Sequence, residues 1–251
     1  AMYLGTNPAF TAGHESAGVT APATSWFLAE GATGDYFDLF VLLANPGSQA
    51  AQVRATYLLP GGATFTKDYT VAANSRQTIW VDEEVINGAK ALANVAVSTT
   101  ITSTNGVPIV VERAMWWPGP TSATWFEAHN SPGATSTGTL WALAEGEDAG
   151  ADQTETYILI ANTSSTAGTA QVTLLYEDGT SETQAIPLAA NSRTNVVPRA
   201  QFPSSVGRRF GALVESLGAT PASIVVERAM YMSTGGVRWS AGTNALGTKI
   251  R

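Results

Sequence analysis

The sequence predicts an all-β protein made of two tandem antiparallel β-sandwich repeats with an immunoglobulin-like layout, and three observations lead to this fold class. The run Ile109–Met115 recurs residue for residue as Ile224–Met230, 115 residues later, which identifies a tandem repeat. Short apolar or alternating runs fill each repeat, separated by turn residues at roughly the 8–12-residue spacing typical of sandwiches. No run within a repeat has a convincing helical period. An antiparallel sandwich accounts for this pattern, with a barrel as the less favoured alternative.

The strands are expected in matched pairs, because the same patterns return in the same order in both repeats. Each repeat opens on a tryptophan, and its next run is almost continuously apolar and ends at an Asn turn. The third run alternates as a half-buried strand does and leads into a hairpin turn. A later strand follows the motif Ala-Asn-Ser-Arg. The matched runs are Trp26–Gly31 with Trp141–Gly146, Asp38–Asn45 with Tyr157–Asn162, Gln52–Tyr57 with Gln171–Tyr176, Phe65–Val71 with Thr183–Leu188, Gln77–Val81 with Thr194–Val197, and Asn94–Thr102 with Phe210–Ser216.

The segment after the Glu-Arg pair occurs three times, although the chain has only two repeat bodies. Gly13–Gly18 matches Ala128–Gly133 at the same offset of 115 residues, which aligns His14 with His129. The third copy is looser and has Asn244 at the place of the histidine. One imidazole per segment does not supply the three convergent ligands of a metal site, so we expect each histidine to bond to a turn, as Asn can.

The surplus copy sets the domain boundaries. Residues 82–93 have a weak helical pattern, but we expect a loop because the matching stretch contains Pro198 and Pro203. The predicted units are a surplus repeat segment at 1–25, a first repeat at 26–139 and a second repeat at 140–251.

The composition excludes several classes of function. Only 13% of residues are charged and the net charge is −7, so the chain lacks the basic stripe of a nucleic-acid-binding surface. No apolar run approaches the ~20 residues of a membrane span, and we expect no membrane insertion. The absence of cysteine excludes disulfides, Cys-based zinc sites and thiol catalysis.

No catalytic residue is predicted, and we expect the protein not to be an enzyme. The run His14-Glu15-Ser16-Ala17-Gly18 is similar to an esterase nucleophile elbow, but His14 replaces the glycine that permits the strained turn. Adjacent residues of a strand point to opposite faces, so the Glu and Arg of each repeated pair do not face one another. We interpret these residues as structural parts of the repeat, namely Glu112, Arg113, Glu227 and Arg228.

Acidic residues gather after the opening strand of each repeat, where loop oxygens could bind calcium. The spacing matches no known calcium loop, so these are weak candidates, and no other cofactor is expected. They are Glu30, Asp35, Asp38, Glu145 and Asp148.

Seven tryptophans are many for 251 residues. Trp26 and Trp141 coincide between the repeats and are expected to anchor the two cores. Four others are less symmetric and, if exposed, would suit stacking against sugar rings. These ligand-stacking candidates are Trp80, Trp116, Trp117 and Trp125.

The motifs together resemble an uncharacterised family of tandem β-rich repeats in secreted and cell-surface bacterial proteins. They are Trp-Phe-Leu-Ala-Glu-Gly, Ala-Asn-Pro-Gly, Ala-Asn-Ser-Arg and Val-Val-Glu-Arg-Ala-Met-Trp, and the resemblance covers nearly the whole chain twice. It implies a β-rich fold and an extracellular or cell-surface location, and it brings no catalytic residues. Two departures are Ala142, where an aromatic residue is usual, and the missing third histidine.

These observations favour an extracellular, non-enzymatic structural module, acting as a stalk, a scaffold, an adhesion element or the subunit of a self-assembling filament. The surplus segment could pair with an open strand edge of another copy and join molecules end to end. Alternatively, the chain is a piece of a longer array, and its partners are neighbouring repeats. The second class of function is a carbohydrate-binding accessory module of a secreted enzyme, with glycans as partners.

Overall fold

The computed structural model of the protein describes residues 2–6, 9–118, 125–148, 150 and 153–251, with side chains from residue 13 onward. These residues form four small antiparallel sheets and a two-stranded hairpin, so the predicted all-β class is confirmed. The strands of the described ranges are β1 (Met2–Thr6), β2 (Ala9–His14), β3 (Ser25–Leu28), β4 (Asp38–Asn45), β5 (Ala51–Leu58), β6 (Thr64–Val71), β7 (Ser75–Trp80), β8 (Ser98–Ser103), β9 (Val110–Trp117), β10 (Glu127–Pro132), β11 (Leu140–Leu143), β12 (Glu155–Asn162), β13 (Gly168–Tyr176), β14 (Ser181–Leu188), β15 (Ser192–Val196), β16 (Phe210–Leu217), β17 (Ile224–Thr234), β18 (Val237–Leu246) and β19 (Thr248–Lys249).

The two repeats have the same sheet topology. In the first repeat the sheets have the orders β3-β8-β5-β6 and β10-β9-β4-β7, and in the second β11-β16-β13-β14 and β18-β17-β12-β15, with β19 added beside β11. The first two strands of an immunoglobulin domain are neighbours in one sheet, whereas here β3 pairs with β8 and β4 lies in the other sheet. The immunoglobulin-like layout is therefore not confirmed.

Each repeat has a hydrophobic core shared by its two sheets, and the core of the second repeat also includes Ala29, Trp117 and Ala134 of the first. Trp26 and Trp141 are buried in these cores. Their indole N–H groups donate to the carbonyls of Ile109 and Ile224, respectively, each at 3.0 Å. The two tryptophans thus tie the opening strand to the start of the repeated Val-Val-Glu-Arg strand in the same way in both repeats.

Strand pairing corrects the alignment of the repeats at two places. The Leu59 amide donates to the Ala63 carbonyl at 2.9 Å, and Tyr176 makes the same hairpin bond to Thr180. Tyr176 therefore corresponds to Leu59, and the alignment of Tyr57 with Tyr176 was wrong by two residues.

The second correction concerns the third copy of the histidine segment. His129 pairs with Met115 across the hairpin, while Thr243 pairs with the matching Met230. Asn244 therefore corresponds to Asn130 and not to the histidine.

The N-terminal segment forms a hairpin, β1–β2, that matches the tip of the β9–β10 hairpin, because Met2 pairs with His14 as Met115 pairs with His129. This hairpin packs against β10 of the first repeat. The His14 imidazole Nε2 lies 2.8 Å from the Asn130 carbonyl. Residues 1, 7 and 8 of the predicted segment lie outside the described residues, and the three domain boundaries stay predictions.

The stretch predicted as a loop in both repeats differs between them. In the first repeat it begins with a 3₁₀ turn, and in the second it contains one helical turn, α1 (Pro198–Gln201), because a proline at the first helical position is pre-set for helix. Among the described residues, no helix is long and apolar enough to cross a membrane. The 3₁₀ turns of the described residues are Pro60–Gly62, Val81–Glu83 and Pro203–Ser205.

Candidate functional site: the junction between the repeats

The largest concentration of buried charge lies where the two repeats meet. We call the end of a repeat that carries Ala29–Gly31 and Arg113, or their counterparts, its distal face. The opposite end, which carries Arg193, Glu227 and Tyr231 or their counterparts, is its proximal face. The distal face of repeat 1 contacts the proximal face of repeat 2, and together they form the junction.

Three fully buried charged groups bridge the junction. The Arg113 guanidinium Nη2 lies 2.7 Å from Glu30 Oε2 in its own repeat and 3.2 Å from Glu227 Oε2 in the other. The second carboxylate oxygen of Glu227 accepts a 2.8 Å hydrogen bond from the Ala29 backbone amide. A buried charge is tolerated when it is paired and hydrogen-bonded, and Glu227 obtains this pairing only from the other repeat.

The second contact of the junction is made by Arg193, which the motif Ala-Asn-Ser-Arg places at the start of β15. Its Nη1 donates to the carbonyls of Gly31 at 2.6 Å and Val97 at 2.8 Å. A Cβ on Gly31 would lie 2.7 Å from the Val97 carbonyl oxygen, so this close approach requires glycine. Burial lowers the pKa of Arg193 to about 10, although the carboxylates of Glu30 and Glu227 oppose the shift.

A buried chain of hydrogen bonds connects His129 to the same charges. Its Nδ1 lies 3.3 Å from Arg113 Nη1 and its Nε2 lies 3.3 Å from the Tyr231 hydroxyl, which donates to Glu30 Oε1 at 3.2 Å. These partners assign the imidazole proton to Nε2. His129 thus lies within β10 and makes these hydrogen bonds in place of the expected bond to a turn. In the amide orientation that satisfies both neighbours, Asn244 accepts from Arg113 and donates to the Asn130 carbonyl.

Burial and neighbouring charges shift the pKa values of the cluster. Burial raises the pKa of Glu30, against the pull of Arg113, and burial together with Glu30 holds the pKa of Tyr231 well above its ordinary value. For Arg113, burial would lower the pKa, but Glu30 and Glu227 reverse the net shift. Burial and the Arg113 charge hold the pKa of His129 well below its ordinary value, which keeps the imidazole neutral.

Aromatic rings cover one side of the charged cluster. Phe37 of repeat 1 inserts among rings of both repeats, with its centroid 5.7 Å from Tyr231 and 5.5 Å from Trp239. The Trp117 indole donates to the Trp239 carbonyl at 2.9 Å. Because these rings exclude water, they strengthen the ion pairs beneath them. The arrangement holds one repeat against the next, and its charged groups bond to one another.

The repeated Glu-Arg pairs behave differently in the two repeats. Arg113 and Glu227 face the junction and contact each other, although they belong to different copies of the motif. Arg228 forms an ion pair with Glu145, whose side chain is 68% exposed. Glu112 is half-buried on the proximal face of repeat 1.

The weak calcium candidates are spread over the two repeats. Glu30 and Glu145 bind the arginines described above, and Asp35 is exposed. Asp38 accepts from two indoles, while Asp148 is buried and accepts from the Thr156 amide at 3.0 Å. Among the described residues, no group of three or more His, Asp or Glu side chains gathers to hold a metal ion.

Three of the four ligand-stacking candidates form one surface cluster. Trp80 and Trp125 are 39% and 46% exposed, and their indoles donate to Asp38 at 3.0 and 2.5 Å. Trp116 lies beside Trp125, with ring centroids 6.2 Å apart. Trp117 does not join them, because it is fully buried in the junction.

Sequence reasoning missed Arg193, Tyr231 and Phe37 as junction residues. Arg193 belongs to a motif whose visible signal was a turn, and its partners are backbone carbonyls, which leave no trace in a sequence. One signal could have identified Arg193: the Ala-Asn-Ser-Arg turn ends on a charged residue in both repeats, although charged residues are rare in this chain.

Comparisons with known proteins give little beyond this description. No protein-family model matches the chain, and no curated protein matches it. Among the solved structures that are similar to it, two match less than half of the chain. The crystal structure of Thermotoga maritima 1070 has 15% identity and a TM-score of 0.38, and the match covers 45% of this chain and 94% of that one. The Anabaena sensory rhodopsin transducer has 25% identity and a TM-score of 0.32, with 38% and 97% covered.

Proposed function

We propose that the protein is an extracellular, non-enzymatic structural module whose repeats are locked end to end into a rigid stalk or scaffold. The observation that carries the proposal is the buried bridge from Glu30 through Arg113 to Glu227. Glu30 and Arg113 pair within repeat 1, but Glu227 finds both of its partners, Arg113 and the Ala29 amide, in the other repeat. Separating the repeats would expose or orphan buried charges, which costs several kcal/mol. The junction therefore resists bending.

Two further points support this proposal. The paired sheets of each repeat share one core, and we infer that each pair packs as a sandwich, an architecture suited to load-bearing repeats. The extracellular or cell-surface location is inferred from the resemblance of the repeated motifs to secreted bacterial repeat proteins.

The test is small-angle X-ray scattering of the unmodified protein and of Glu227→Ala. A single rigid arrangement, matching the curve calculated from the structure, is expected for the unmodified protein, and a broadened distribution of inter-repeat distances for the variant. Arg54→Ala is the matched control, because the Arg54–Asp68 pair is exposed and joins the neighbouring strands β5 and β6 within repeat 1. Independent tumbling of the repeats in the unmodified protein would refute the proposal.

The second candidate function is carbohydrate binding at the aromatic cluster of Trp80, Trp116 and Trp125. Its exposure favours this function. However, the Trp80 and Trp125 ring planes cross at 69°, so the cluster presents a ridged surface and not the flat platform on which a sugar chain stacks. Quenching of tryptophan fluorescence by a polysaccharide, lost in Trp125→Ala, would support binding. No change across a glycan array would remove this candidate.

A further inference from the structure

Two faces of the repeats outside the junction carry the same chemistry as the two halves of the junction. Because the repeats share one topology, repeat 2 has a distal face and repeat 1 has a proximal face, and neither lies in the junction. The junction therefore serves as a template for what these two faces can bind.

The distal face of repeat 2 reproduces the site that holds Arg193 in repeat 1. The Phe210 amide donates to the Gly146 carbonyl at 2.9 Å, as the Val97 amide does to Gly31. In repeat 2 this place is a cavity of ≈ 260 Å³, whose lining includes Ala144, Gly146 and Phe210. Its lining carries three carboxylates, those of Glu145, Glu147 and Glu177, against one cation, Arg209, which pairs with Glu147. The cavity therefore suits a cationic side chain.

The proximal face of repeat 1 reproduces the groups that fill the junction. Arg76, the counterpart of Arg193, is exposed, and Glu112, the counterpart of Glu227, is half-buried. Trp125 is 46% exposed, whereas its counterpart Trp239 packs against Phe37. The exposed aromatic cluster is thus explained as one half of an unfilled junction.

We propose that a second copy of this chain docks on the distal face of repeat 2 through the proximal face of its repeat 1, which deepens the proposed structural function and rests on it. Arg76 of the second copy enters the cavity and donates to the Gly146 and Phe210 carbonyls. Glu112 accepts from the Ala144 amide and pairs with Arg228. The contact joins two different faces, so it does not close on itself and generates linear chains.

Two features make this contact weaker than the internal junction. Strand register places Thr154 where repeat 1 has Phe37, so one aromatic ring is missing. In addition, the β1–β2 hairpin packs on β10 in the way that the β9–β10 hairpin packs on β18 at the junction. A preceding copy can therefore dock fully only after the β1–β2 hairpin has left β10. Weakening the contact between this hairpin and β10 strengthens the association between copies.

Cysteine cross-linking tests the proposal directly, because the chain has no cysteine of its own. At the junction, a Cβ on Gly62 would lie 3.8 Å from the Ala189 Cβ, which is disulfide spacing, and 2.9 Å from the Ala190 carbonyl oxygen, so the turn must shift slightly to admit the cysteine. The matching pair between molecules is Gly179 with Ala72. Under mild oxidation, Gly62→Cys/Ala189→Cys is expected to close within one chain, and Gly179→Cys/Ala72→Cys to give a ladder of covalent multimers that a reductant collapses.

Three controls make the ladder specific. Gly179→Cys/Arg54→Cys, with the second thiol on a strand outside both faces, is expected to give no ladder. Adding Arg76→Ala to the ladder-forming variant lowers the multimer fraction at least fivefold, and adding His14→Ala, which removes a hairpin contact, raises it.

The proposal would be overturned if Gly179→Cys/Ala72→Cys stayed monomeric under oxidation, both alone and in the His14→Ala background. It would also be overturned if Arg76→Ala left the multimer fraction unchanged, or if Gly179→Cys/Arg54→Cys gave an equal ladder. Failure of Gly62→Cys/Ala189→Cys to close, although its thermal unfolding shows a folded protein, would instead contradict the internal junction and the proposed function. The two failures are therefore distinguishable.

Discussion

Glu227 accepts a hydrogen bond of 2.8 Å from the backbone amide of Ala29, a residue 198 positions earlier in the other repeat. The amide lies at the end of β3, where a strand would otherwise leave a buried N–H without a partner. The same carboxylate faces Arg113. One side chain thus satisfies both a backbone group and a charge of the neighbouring repeat, which makes the junction cooperative.

Arg113→Met is expected to destabilise the protein by about 3–5 kcal/mol, because it leaves the carboxylates of Glu30 and Glu227 buried without their cation. Denaturant unfolding followed by tryptophan fluorescence measures the loss. Arg228→Met is the matched control. Its partner Glu145 is mostly exposed and regains water, so the cost should be about 1 kcal/mol or less. Equal losses of unfolding free energy in the two variants would show that enclosure in the junction does not strengthen the ion pairs of Arg113.

Arg193→Ala and Arg76→Ala change the same motif residue in the two repeats and should differ sharply. Removing Arg193 leaves the buried Val97 carbonyl without its donor, at about 1–3 kcal/mol for an unsatisfied group, and the Gly31 carbonyl keeps only the bond from the Val97 amide. Arg76 is exposed, and its removal should change the free energy of unfolding by less than about 0.5 kcal/mol. Thermal unfolding of dilute protein makes the comparison, and a similar midpoint for both variants would contradict it.

The sequence identified what depends on local pattern. The alternating runs, the Asn turns and the core positions of Trp26 and Trp141 follow from spacing along a single repeat, and they match the structure. The alignment failed at Tyr176 and Asn244 because side-chain identity outweighed strand pairing. A shift of two residues keeps the same face of a strand toward the core, so hydrophobic alternation could not reveal the first of these errors.

The junction could not be derived in this way. Arg113 and Arg228 stand in identical heptapeptides, yet the first is enclosed by two repeats and the second pairs with an exposed carboxylate. The difference arises because repeat 2 packs against the face that carries Arg113. The heptapeptide itself contains no information about such a neighbour. Backbone carbonyls as partners of Arg193 are equally invisible in a sequence.

Glu127 should make the protein less stable as the pH rises. Burial raises its pKa to about 7 from an ordinary value of 4.5, so between these values the folded state binds a proton that the unfolded chain has lost. Stability is therefore full below pH 4.5 and falls by up to about 3 kcal/mol as the pH passes 7. Glu127→Gln should remove this fall and be the more stable protein at pH 8. Denaturant titrations at pH 4 and pH 8 check the prediction, and parallel pH profiles for the two proteins would contradict it.

His129 should act in the opposite direction at acidic pH. Burial and the Arg113 charge hold its folded pKa well below the ordinary value of 6.5, so below pH 6.5 the unfolded chain binds a proton that the folded protein does not. This loss of stability on acidification has a slope of up to about 1.4 kcal/mol per pH unit, and it ends only below the lowered pKa. His129→Asn should flatten the acid limb of the unfolding profile. His14→Asn is the matched control, because the pKa of His14 is lowered, chiefly by burial, but its imidazole is only half-buried. If His14→Asn flattened the profile more than His129→Asn, the proton uptake on unfolding would belong to the hairpin and not to the junction.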